Sequence, residues 1–132
     1  MSAEDAGRLL VALGAVSAAL GVAAGAFGAH ALAGAVSPER LATFRTGAQY
    51  QQLHAVAMVL AGLAAAWRPG WRGATRAGWL FLAGTLLFSG SLYALVLTDT
   101  PALGAVAPFG GVAFMAGWLV LAWTAWTARR AS

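Results

Sequence analysis

The sequence contains no cysteine and no lysine, and only four of its 132 residues are acidic. Without cysteine there are no disulfides, thiol nucleophiles or thiolate metal sites. Without lysine, and without the flanking glycine pattern, there is no phosphate-binding loop. All positive charge rests on eight arginines, giving a net charge of +4. Charged residues make up 9% of the chain, against about a quarter in a soluble domain. Hydrophobic residues make up 61%, and the mean hydropathy is +0.75. So little charge cannot cover a water-exposed surface, so the expected solvent is lipid. The basic balance does not indicate nucleic acid, because the arginines bracket apolar runs instead of forming a polar patch with stacking aromatics.

The length suits one domain, with no solenoid repeat. Four apolar runs are present, at about 9–30, 50–67, 77–97 and 109–128. The first, third and fourth hold 20 or more residues, about 30 Å of helix, which matches a hydrocarbon core. The second is shorter and is extended into the interface by Gln49 to Gln52. The first run resembles a cleavable leader in its small residues. Its length, and Glu4 and Asp5 ahead of it, favour a span. The sequence therefore predicts an all-α integral membrane four-helix bundle.

Between the first two runs lies "SPERLATFRTGAQYQQLHAV". Ser37 suits an N-cap and Pro38 the first helical position. Leu41, Phe44 and Ala48 share a face that Arg40 and Arg45 avoid, which predicts a short interfacial amphipathic helix over about 38–48. One straight helix from Pro38 to Trp67 would be about 45 Å long, more than the hydrocarbon core, so a bend is expected near Gly47.

Arg8, Arg68, Arg72, Arg76, Arg129 and Arg130 fall on one side of a four-span chain, and Arg40 and Arg45 on the other. That asymmetry predicts that both termini face the cytoplasm. Trp67, Trp71, Trp79, Trp123 and Trp126 gather near the arginine-rich ends, and Trp118 lies deeper.

In lipid, helices associate through close backbone approach. Gly14, Ala18, Gly21, Gly25 and Gly28 form one stripe of small residues, which predicts that the first helix packs centrally. Ala57, Ala61 and Ala65 and then Gly110, Ala113 and Gly117 offer matching surfaces.

The polar residues are concentrated in the non-cytoplasmic half: His30, Tyr50, Gln51, His54, Ser89, Ser91 and Tyr93. Polar side chains in a bilayer face one another, so one polar cluster near the outer interface is expected, with His30 facing His54. It has several readings: an interhelical hydrogen-bond network, metal or haem ligation by His30 and His54, or a small-molecule, lipid or proton site. Serine catalysis lacks a nucleophile elbow and an orienting acid other than Asp99. No metal or cofactor is assigned by these residues.

"GAFGAH" (25–30), "TGAQYQQLHA" (46–55), "LFSGSLY" (87–93) and "PFGG" (108–111) occur in this order and closely resemble the transmembrane protein 256-like family, a domain of unknown function. The resemblance spans roughly Arg8 to Trp126. It implies a small multi-pass membrane protein, of the bacterial inner membrane or mitochondrial, and supplies no reaction, substrate or cofactor. The chain departs from the family pattern at Ala107, where threonine is expected, and at Asp99, where glycine is usual. The expected role is a non-enzymatic accessory, scaffold or self-associating membrane component whose partners are the bilayer and a homo-oligomer or larger membrane complex. The alternative is a ligand-, metal- or haem-binding membrane protein or small carrier.

Overall fold

A computed structural model describes residues 1–68 and 70–128. Among the described residues every regular element is helical. Helix α1 runs Ala3–Leu32, α2 Pro38–Trp67, α3 Arg72–Thr98 and α4 Ala107–Ala128. The last five residues of α1, Gly28–Leu32, and five within α3, Thr85–Ser89, wind as π-turns. A 3₁₀ turn, Pro101–Ala105, leads into α4. Arg129 and Arg130, and Pro69 in the α2–α3 turn, lie outside the described residues.

Local chemistry sets where the helices begin. Ser2 caps α1 by accepting the Asp5 N–H at 3.0 Å. Helix α1 therefore starts six residues before the apolar run does. Ser37 caps α2 by accepting the Arg40 N–H at 3.2 Å, with Pro38 at the first helical position, where its missing N–H costs nothing.

Three helical segments are long and apolar enough to cross a membrane: Ala3–Leu32, Arg72–Thr98 and Pro101–Ala128. The fourth helix, α2, is just as long, but polar residues in its first half lower its hydropathy. It is also unbroken, so the separate interfacial helix expected over 38–48 is corrected to the first part of one continuous helix of 30 residues. The physical reason is protein cover. Gly47 lies against Tyr93 and Leu92 of α3, and Phe44 against Gly28 and Phe27 of α1. Arg40 reaches Asp99 at 3.0 Å. The expectation of a separate interfacial helix assumed lipid against a face, Phe44, Gly47 and Ala48, that neighbouring helices cover.

The hub is α2, not α1. It touches α1 along its length and α3 along most of it. The α1–α2 seam is closer than side chains permit. A Cβ on Gly7 would sit 2.6 Å from the Gly62 carbonyl oxygen, and one on Gly62 equally close to that of Gly7. Farther along, Gly14 meets Val59 and Ala55, Gly21 meets Gln52, and Gly28 meets Phe44. The glycines at 7, 14, 21 and 28 recur every seven residues, and buried Leu10 and Ser17 fall between them. A seven-residue period is the left-handed, coiled-coil-like repeat. Ala18 stands beside this seam, only half-buried, and Ser17 takes the position in the stripe.

A second antiparallel seam joins α3 to α4. Gly73 faces Thr124, Gly117 faces Phe81, Gly84 faces Phe114, and Gly110 faces the backbone of Phe88. Leu10, Met58, Ala61, Ala77, Phe81 and Phe114 form the larger apolar core, where the two pairs meet. Leu32, Phe44, Leu95 and Val96 form a smaller one at the opposite end.

Overpacking a close seam costs about 1–3 kcal/mol. Gly7→Ala and Gly62→Ala are each expected to lower the melting temperature in detergent. Gly111→Ala, whose added Cβ would meet nothing within 4 Å, is expected to leave it unchanged. Circular dichroism melts of the three variants check this.

Candidate functional site

Midway along α2, one helical turn carries Tyr50, Gln51, Gln52 and His54. Their side chains radiate toward three different helices. Gln51 points its amide NH₂ at the Ser17 carbonyl of α1, 3.1 Å away, and its amide oxygen accepts the Tyr93 hydroxyl of α3 at 2.6 Å. A carbonyl only accepts, so the amide orientation is determined. Gln52 donates to the Gly21 carbonyl of α1 at 2.8 Å. Ser89, released onto the α2 side by the π-turn, donates to the Gly47 carbonyl at 2.7 Å. Ser91 donates within its own helix, to Phe88 at 2.9 Å.

His54 is 2% exposed and both of its ring nitrogens are engaged. Nε2 lies 3.1 Å from the indole Nε1 of Trp118, on α4. An indole can only donate, so Nε2 is the acceptor. Nδ1 lies 2.8 Å from the Tyr50 carbonyl, which can only accept, so Nδ1 carries the proton. The neutral Nδ1–H tautomer follows from its partners. No lone pair remains for a metal while Trp118 holds Nε2. Phe114 stacks on the imidazole with centroids 3.5 Å apart and planes 11° from parallel.

Beside this imidazole lies a cavity of about 380 Å³ between α2 and α4, closed on one side by Phe88 of α3 and walled otherwise by Tyr50, His54, Gly111, Phe114 and Trp118. Leu53 and Met115, both exposed, stand at its mouth.

The structure therefore brings together Gln51 and Tyr93, Ser89 and the α2 backbone, and Tyr50, His54 and the α4 aromatics. It does not bring His30 to them. His30 is exposed on the terminal π-turn of α1. His54 sits level with Gly14 to Ser17, since Ala55 meets Gly14 and Gln51 meets Ser17. The two histidines are thus separated by about 20 Å of α1 at 1.5 Å per residue. The polar groups lie at the mid-length of the helices and not at one end. Among the described residues no three His, Cys, Asp or Glu side chains come together to hold a metal. Sequence reasoning missed Trp118 as the partner of His54. The available signal was its depth, since the other tryptophans stand near helix ends.

With this geometry in place, comparison with known proteins is direct. The family model "Protein of unknown function (DUF423)" matches residues 24–111. The chain belongs to this family. It is 43% identical to the UPF0382 membrane protein YwdK of Bacillus subtilis, over 86% of this chain and 93% of that one. A UPF0382 membrane protein of Staphylococcus aureus is 41% identical over 86% of this chain and 92% of its own. One from Staphylococcus epidermidis is 40% identical over the same shares. No solved structure matches. The chain is thus a membrane protein of the DUF423 family. Matching residues 24–111 include His54, Tyr93 and the glycine pair Gly110–Gly111, whereas Trp118 falls beyond them.

Removing one partner of a buried hydrogen bond costs about 1–3 kcal/mol. Trp118→Phe and His54→Phe are each expected to destabilise the protein by that order. The double variant is expected to lose less than the sum, with a coupling of about 1 kcal/mol. Thermal or denaturant unfolding of the four proteins in one detergent measures the cycle.

Proposed function

We propose that this DUF423 protein is a non-enzymatic accessory component of a bacterial inner membrane, a four-span helical bundle with both termini in the cytoplasm that works through lateral contacts. One observation carries the reading. No buried side-chain nitrogen or oxygen among the described residues lacks a hydrogen-bond partner, and Gln51, Gln52, His54, Ser89 and Tyr93 are committed to bonds between helices. Metal or haem ligation is disfavoured because both nitrogens of His54 are engaged and His30 is remote. The outward faces of α1 and α4 are apolar along their length, with Val16, Leu20, Val22, Val112, Leu119 and Trp123 all more than half exposed. The connections are short, so little else is available for a partner to grasp. Helix α2 is read as the fourth span because it is enclosed by helices that are themselves apolar enough to cross.

Orientation rests on charge. Arg68, Arg72 and Arg76 are exposed at the α2–α3 turn, and Arg8 is paired with Glu4 at 2.7 Å near the same end. At the other end Arg40 is paired with Asp99, which leaves Arg45.

Two outcomes are expected. Because the natural chain has no cysteine, single-cysteine reporters are clean: Ala35→Cys should react with an impermeant maleimide from outside intact cells, and Ala3→Cys only after permeabilisation. The reverse pattern refutes the orientation. Extraction in mild detergent followed by native mass spectrometry should give an assembly heavier than the 13.4 kDa chain. A strictly monomeric species refutes the accessory reading.

A further inference from the structure

The α2–α4 cavity is not needed for packing, and one residue keeps it open. Gly110 and Gly111 are neighbours, yet only Gly110 is pressed against another helix, at the backbone of Phe88. A Cβ on Gly111 would meet nothing within 4 Å. Its missing side chain leaves volume in the cavity and serves no close approach.

The walls specify what fits that volume. The rings of Tyr50, His54 and Phe114 lie close to parallel. The Tyr50 plane is 15° from that of His54 and 25° from that of Phe114, and the His54 and Phe114 planes are 11° apart. Phe114 already covers the His54 ring at 3.5 Å, so the aromatic groups left open to the cavity are Tyr50, Phe88 and Trp118, a lining that favours a flat ring. No charged residue lines the cavity, so the ligand is neutral. His54 and Trp118 are bonded to each other, which leaves the Tyr50 hydroxyl as the wall group with hydrogen-bonding capacity uncommitted. An O–H donor facing an apolar cavity calls for a carbonyl acceptor. The mouth opens sideways past Leu53 and Met115, between two helices and at their mid-length, so entry is from the bilayer. The volume, about 380 Å³, is at the lower end of small-molecule sites, about 300–1,000 Å³. It takes a ring and the first carbons of a tail, not a whole lipid.

We infer that this cavity binds the ring of a neutral, lipid-soluble, carbonyl-bearing planar molecule of the quinone type, its apolar tail leaving past Leu53 and Met115 into the membrane. The ring packs against Tyr50 and Trp118, the more open aromatic groups of the lining, and the Tyr50 hydroxyl donates to its carbonyl. The inference concerns binding alone and stands whether or not the protein joins a larger assembly.

The test is a titration of the purified full chain in detergent with decylubiquinone and with menadione, read by saturable quenching of tryptophan fluorescence, to which Trp118 contributes at the wall. Decanol serves as the ring-free control. At least one quinone is expected to saturate, with decanol competing at least tenfold more weakly. Gly111→Leu, which fills the cavity, should weaken binding tenfold or more without lowering the melting temperature. Leu53→Trp, which narrows the mouth from an exposed position, is the second variant should Gly111→Leu fold poorly. Tyr50→Phe should weaken binding about three- to tenfold, the loss of one hydrogen bond. The inference is overturned if neither quinone saturates, if the cavity-filling or mouth-narrowing variant binds as tightly as the natural protein, or if decanol competes as well as the quinones.

Discussion

The carboxamide of Gln51 joins three helices. Its NH₂ donates to the Ser17 carbonyl of α1, and its oxygen accepts the Tyr93 hydroxyl of α3. Lipid offers no substitute partner for either group, so α2 is held where both bonds can be made. Gln52 to Gly21 and Ser89 to Gly47 repeat the pattern on either side. A helix too polar to stand alone in a bilayer becomes the hub because its neighbours satisfy it. Apolar α1 and α3 need no such help to be stable in lipid. What they gain is a fixed register, since each bond is directional and dispersion contacts between small residues are not.

The π-turn at Thr85–Ser89 makes the α3 half of this network possible. Below it, Gly73, Phe81 and Gly84 face α4; above it, Ser89, Leu92 and Tyr93 face α2. A π-turn accommodates an extra residue in the helix. The lower part thus packs on both α2 and α4 and the upper part on α2, without a break in the helix. Its freed geometry is closed locally, since the Gly90 N–H donates to the Thr85 carbonyl and the Thr85 hydroxyl to the Phe81 carbonyl. One helix can then serve two partners, and the α1–α2 and α3–α4 pairs lock together.

The all-helical character, the existence of four helices and the caps at Ser37 and Pro38 were legible in the sequence, because they depend on local chemistry and on apolar runs. The glycine stripe was legible in kind. Its extension to Gly7 was not, because Gly7 lies outside the apolar run and its counterpart Gly62 sits among alanines that look equivalent. The continuity of α2 was hidden because it depends on which helices cover one face of residues 38–48. His30 and His54 looked like partners because both fell toward one end of the assumed spans. The actual register, set by Gly14 on Ala55 and Gly28 on Phe44, places them on different levels. Asp99 is a further case. Its φ of 48° is left-handed, which explains why glycine is the residue expected there from the family resemblance. Aspartate is among the few other residues that tolerate this conformation, and here it also pairs with Arg40. That pair is worth at most about 1 kcal/mol, because Asp99 is 84% exposed and water screens it. The geometry makes Asp99 a turn residue rather than a ligating acid.

The seam between α2 and α4 differs from the other three. Glycines bring α1 against α2 and α3 against α4, and Gly47 brings α2 against the upper half of α3. Between α2 and α4 aromatic side chains meet: Phe114 on His54 and on Tyr50, and Trp118 bonded to His54. Rings hold two backbones farther apart than glycines do, so a gap must remain wherever the rings do not fill the seam. Gly111 stands at that gap on the α4 side and contributes nothing to fill it. A helix pair held by large side chains could have been sealed with one more of them at this position. Because it is not, the bundle has close contact on three seams and an aromatic-lined opening on the fourth. The fixed tautomer of His54 keeps that opening neutral and its walls parallel.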